Sequence, residues 1–126
     1  MTLTPLPRRL LGLAGLVLLA VALPVRAEAP AFFCSGIGEE AAEEEATFPH
    51  TLKLIFAQVD GKFIADVDAT IMQGSETVLT AFCPSPWLLV DLPEGRYTVT
   101  ATHAGVTKST AVSVKSGRVT DQGFGF

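Results

Sequence analysis

Two carboxylates two residues apart, Asp66 and Asp68, are the pair in this chain best suited to acid–base chemistry. On one β-strand they would share a face about 7 Å apart, within the spread at which paired carboxylates cleave glycosidic bonds. That chemistry also needs one carboxyl raised in pKa by burial in a cleft. Here both belong to the polar side of an amphipathic run, so the expectation is no catalytic role and at most part of an interaction surface. Ser35 and Ser75 stand beside glycines but lack the Gly-x-Ser-x-Gly elbow of serine hydrolases. His50 follows Pro49 in a connector and His103 ends a strand run, so no Ser–His or Cys–His relay is read. No phosphate loop or dinucleotide fingerprint is present. The sequence thus predicts no enzyme, no catalytic residue and no cofactor.

The N-terminus bears on compartment. Arg8 and Arg9 precede the apolar run Leu10–Leu23, and Val25-Arg26-Ala27 offers a signal-peptidase site, so residues 1–27 read as a signal peptide cleaved after Ala27. The run is short of the ~20 residues a spanning helix requires, so no stable membrane span is expected after cleavage. The expected localisation is periplasmic or secreted. Cleavage removes Arg8, Arg9 and Arg26, leaving six cations against thirteen carboxylates, a net charge of −7. A domain this acidic has no electrostatic footprint for nucleic acid.

Both cysteines, Cys34 and Cys83, fall in the exported part, and an even count in an oxidising compartment reads first as a disulfide. Closing a loop of about 50 residues would constrain the unfolded chain by about 4 kcal/mol. Two free thiols are one alternative. A zinc site with His50 and His103 is another, although none of the four forms the close ligand pairs of structural zinc sites, and no metal is expected. The run Glu39–Glu45 follows Gly38 and reads as a short acidic helix ended by Phe48-Pro49, its glutamates forming a solvated face. Trp87 begins a strand after two prolines, either packed in the core or at the rim as part of an interaction surface with Asp66 and Asp68.

From Thr51 the apolar period becomes two. Leu52, Leu54 and Phe56 alternate, and Asp60-Gly61 is a hairpin signal. Phe63, Ala65, Val67, Ala69 and Ile71 would share one face of the next strand. Thr77–Phe82, Trp87–Leu92, Tyr97–His103, Thr107–Val114 and Val119–Phe126 complete seven strands. Seven short strands with regular turns predict an all-β sandwich. Leu92–Gly95 fits a type I turn, with Pro93 at its second position and Gly95 at its fourth. Tyr97 just beyond suits a corner tyrosine whose hydroxyl returns to the backbone. The exposed edge Thr107–Val114 suits addition of a partner strand. The division is a signal peptide (1–27), a Gly-rich loop with the acidic helix (28–50), and a sandwich domain (51–126).

Phe63-Ile64-Ala65-Asp66-Val67-Asp68-Ala69-Thr70-Ile71, with Pro86-Trp87-Leu88-Leu89-Val90-Asp91-Leu92-Pro93-Glu94-Gly95-Arg96-Tyr97-Thr98-Val99, resembles the carboxypeptidase regulatory-like domain, a transthyretin-like (prealbumin-like) Greek-key β-sandwich. The chain is similar to small secreted proteobacterial proteins that carry this domain alone after a Gly-rich acidic segment like Ser35-Gly36-Ile37-Gly38-Glu39-Glu40. The likeness covers Cys34 to Phe126, and paired cysteines are not part of its pattern. It implies a non-enzymatic accessory module that binds a protein or envelope polymer. The alternative is a small metal- or ligand-binding protein using Asp66, Asp68 and the Glu39–Glu45 run.

Overall fold

The computed structural model describes residues 29–126. The signal-peptide expectation and its cleavage after Ala27 lie outside the described residues. Eight strands and one helix follow in order: β1 (Phe32–Ser35), α1 (Glu39–Thr47), β2 (Leu52–Ala57), β3 (Val67–Gln73), β4 (Glu76–Cys83), β5 (Trp87–Val90), β6 (Gly95–His103), β7 (Val106–Val114) and β8 (Thr120–Gly125). They form two four-stranded sheets, β1-β5-β2-β8 and β4-β3-β6-β7. All pairings are antiparallel except β2 with β8. The fold is an all-β sandwich, as its alternating runs predict. Among the described residues no helix is long and apolar enough to cross a membrane.

Among the described residues the expected seven strands are eight. The extra one is β1, whose Phe32-Phe33-Cys34-Ser35 shows no alternation; it pairs with β5 from Phe32↔Val90 to Ser35↔Trp87. The segment before residue 51 therefore contributes an edge strand to the sandwich.

Inward side chains come from every second residue, as the strand pleat requires. Leu52, Leu54 and Phe56 of β2 meet Ile71 of β3 and Val99 of β6 in one cluster, all fully buried. Truncating a side chain such as Phe56 here would cost about 3–5 kcal/mol. β5 is buried on both faces: Leu88 and Val90 point inward, and Leu89 is covered on the outer side. The cover is the α1 arm, which lies over this outer face. Phe48 at its end packs on Phe33 with ring centroids 5.8 Å apart, and Glu45 pairs with Lys53 at 3.0 Å.

One expected strand breaks. Asp66 adopts φ 63°, the left-handed region that an L-residue other than Asn or Asp rarely enters. That residue resets the alternation, so Phe63 is exposed and Ile64 buried, the reverse of the expected faces. Val67, Ala69 and Ile71 do point inward, because they lie beyond the break.

Candidate interaction surface

The structure separates the residues singled out for an interaction surface. Asp68 pairs with Phe82 and Thr102 and points outward from the β4-β3-β6-β7 sheet. Asp66 is exposed at the break before β3, outside the ladder that would have set it beside Asp68 on one strand face. Trp87 lies on the outer side of the other sheet, across the sandwich from Asp68. Its ring is no open platform: the Lys53 ammonium sits 3.9 Å from the ring centroid, and Phe63 meets it edge-on at 6.1 Å. Glu39–Glu45 occupy the arm over that same sheet, so they and the aspartates do not converge. Among the described residues no group of three or more His, Cys, Asp or Glu is placed to hold a metal ion.

Nor do the candidate nucleophiles find a base. The buried Ser35 hydroxyl donates to Glu44 at 3.4 Å, while Ser75 is exposed in the β3–β4 turn. His50 Nδ1 lies 2.6 Å from the Phe48 carbonyl, and Nε2 is buried 3.9 Å from Glu45. His103 Nδ1 lies 3.3 Å from the Asp66 carbonyl, and its ring meets Phe126.

The corner residues act on architecture. Tyr97 donates from its hydroxyl to the Pro93 carbonyl at 2.7 Å while its ring is buried. Burial raises its pKa above the ordinary 10.0, because the phenolate is poorly solvated there. Gly95 leaves room for Gln73, whose amide nitrogen would stand 2.9 Å from an added Cβ. Thr51 was not singled out by sequence, yet its hydroxyl donates to the Leu92 carbonyl at 2.8 Å and accepts from the Leu92 N–H at 2.9 Å.

The two flanks of the sandwich differ. At one, the edge strands β1 and β4 are joined by the disulfide Cys34–Cys83, with Cα atoms 5.5 Å apart. At the other, the edge strands are β7 and β8. At the start of β8, the Thr120 hydroxyl donates to the Ser113 carbonyl of β7 at 3.1 Å. Beyond its end, Phe126 lies against His103 of β6, ring centroids 5.8 Å apart. So β8 drifts from beneath β7 to beneath β6, as crossed sheets do. The first half of β7 then overhangs with none of the described residues beneath it. Register places Val106, Lys108 and Thr110 on the inward face, opposite His103, Ala101 and Val99, yet Val106 and Lys108 are exposed and Thr110 half-buried. Val112 and Val114, farther along the same face, are buried.

Beside that overhang runs the free edge of β8. Thr120 N–H donates to Thr51 and Phe126 N–H to Ala57, so the even-numbered residues face β2. By the strand's period of two, the main-chain groups of Asp121, Gly123 and Gly125 face outward from the sheet edge. Two of these three have no side chain to shield them. The Gln122 amide folds back onto the Gly123 carbonyl at 2.9 Å. Cations and carboxylates both border this flank: Lys108 lies on β7 and Lys115 and Arg118 in the loop into β8, while Asp121 lies on β8, Asp60 follows Val59, which donates to the Phe126 carbonyl, and Asp66 meets His103 through its own carbonyl.

Compared with protein-family models and with curated proteins, the chain matches none.

Proposed function

We propose that this protein is an exported, non-enzymatic interaction module of the carboxypeptidase regulatory-like, transthyretin-like type, with Greek-key connections, that binds a protein or envelope polymer. The observation that carries this reading is the open β7–β8 flank: outward main-chain groups along β8, of which the Gly123 carbonyl alone is taken up locally by the Gln122 amide, lie beside an inward strand face that none of the described residues covers. Sheet edges are commonly blunted or covered, and one left open beside such a face is a ready template for a partner. The disulfide supports an oxidising compartment, and the basic n-region and apolar run at the N-terminus support export.

The test uses the full chain expressed in its source cells, with a photo-crosslinking residue at Thr110 in one variant and at Phe82 in another. The reading expects a discrete adduct from Thr110, on the open flank, and none from Phe82, on the outer face of the far edge strand. Adducts from neither position would count against a binding module. An adduct from Phe82 alone would move the surface to the other flank.

A further inference from the structure

We propose that the open flank takes an extended peptide segment as a ninth strand, added to the free edge of β8 beneath the overhanging half of β7, and that this segment carries an acidic side chain facing Lys108. The proposal rests on the binding-module reading and names the partner's chemistry.

Three observations lead there. First, the outward main-chain groups of β8 at Asp121, Gly123 and Gly125 are spaced as a strand ladder requires, and Gly123 and Gly125 leave the approach unobstructed. The Gln122 amide on the Gly123 carbonyl is a local substitute that an incoming N–H would replace. Second, a strand laid there would run under Val106, Lys108 and Thr110 at the usual face-to-face separation of about 10 Å. Its alternate residues would point up at them. Val106 and Thr110 call for apolar or β-branched partners. Lys108 lies between them, and its long side chain reaches an opposed carboxylate. Third, Lys115 and Arg118 in the loop leading into β8 are exposed and add two cations at the start of the same edge.

The same features discriminate among occupants. A second copy pairing β8 with β8 would set Lys108 near its own duplicate, which like-charge repulsion opposes. The edge of β7 is defended by its inward-facing Lys108, a device that discourages strand addition at that edge. The β8 edge has no inward-facing charge.

The test uses two synthetic hexapeptides, Thr-Val-Glu-Val-Thr-Val and its counterpart with Lys in place of Glu, titrated into the oxidised protein. Amide hydrogen exchange is read by NMR. The expected result is binding of the Glu peptide, with exchange at Gly123 and Gly125 slowed about tenfold or more at saturation, and weaker binding of the Lys peptide. Lys108→Glu should reverse that preference, weakening the Glu peptide about tenfold. Gly123→Pro removes an outward N–H that β2 does not use and should abolish binding of either peptide. Should that variant unfold, the Lys108→Glu reversal still decides the matter. Protection at β1 or β4 amides, or no binding of either peptide, would overturn the proposal. Adducts at Thr110 in cells without peptide protection of β8 would leave the module standing and remove strand addition. Peptide protection without any cellular adduct would show a β8 edge able to take a strand but would remove the binding-module reading, and the proposal with it.

Discussion

At one flank of this sandwich a covalent bond joins β1 to β4, and an acidic helix lies over the adjoining sheet face. At the other, β7 and β8 meet through a threonine hydroxyl at one end and diverge toward the other. Both flanks present edge strands with unpaired donors and acceptors. At the first, the disulfide ties the two edge strands together across the sandwich without pairing their main-chain groups. In the second, the edge strand beside the overhang carries glycines where its main chain faces out. The covalent tie lies at one flank, and the other is held by packing and a single threonine hydrogen bond.

Breaking the closed flank should cost most. Cys34→Ser should destabilise by about 4 kcal/mol on the chain-entropy account, lowering Tm by about 20 °C for a domain this small. Cys83→Ser should match it, and the double variant should lose no more than either, because all three remove one bond. Thermal unfolding with and without reductant checks this. Losses that add would show that each cysteine also stabilises by its own packing.

The open flank depends on ordinary packing. Phe124 of β8 is buried, with its ring 6.0 Å from that of Phe56. Phe124→Ala should cost about 3 kcal/mol by leaving a cavity that the surrounding sheet fills incompletely. Urea unfolding measures it. In the oxidised protein, exchange at β8 amides should rise more than at β1 amides. Equal acceleration at both would mean that the flanks open as one unit and the contrast is only geometric.

A change at the corner serves as a control that favours neither flank. Tyr97→Phe deletes the bond to the Pro93 carbonyl and should cost about 1 kcal/mol, oxidised or reduced. It also carries a pH signature. The buried phenol binds its proton more tightly folded than unfolded, so its contribution is full below pH 10.0 and is lost as pH rises through the higher folded-state value. Wild-type stability should therefore fall more steeply above pH 10.0 than that of Tyr97→Phe, as denaturation across that range would show.

Most of the strand inventory was legible because one sheet face is buried and the apolar period is two. Tyr97, Val99 and Ala101 all point inward, as their spacing says. The cysteine pairing was legible from the even number and from the export that the N-terminal sequence led one to expect. Two things were not. Phe32–Ser35 makes a strand through pairing with β5, a tertiary contact that leaves no alternation in four residues. Asp66 breaks its run by adopting a left-handed backbone, which Asp tolerates without announcing it. The separation of Trp87 from Asp68 was hidden for a related reason: local pattern tells which residues share a strand face, and the order of strands decides which faces share a side. Sequence named one edge of the open flank, Thr107–Val114, which is β7; the β8 edge was not legible, because Gly123 and Gly125 acquire meaning only when β8 pairs in parallel with β2, and Lys108 only when register turns it inward.

The smallest effect offers the finest probe of the open flank. The β6–β7 hairpin turns at Ala104 and Gly105, with φ 48° and 81°, between the paired residues His103 and Val106. Positive φ at both central positions is the type I′ turn, which favours Asn-Gly because alanine is strained in the left-handed region. Ala104→Asn should therefore stabilise the protein by about 0.5 kcal/mol, with no contact made to the disulfide flank. Because the turn anchors the overhanging half of β7, exchange should slow at Val106–Thr110 while β1 amides keep their rate. If both slowed together, global unfolding would govern exchange at β7 and the overhang would be as firmly held as the closed flank. If β7 alone slowed, the overhang opens locally in the native protein, as a segment held on one side would.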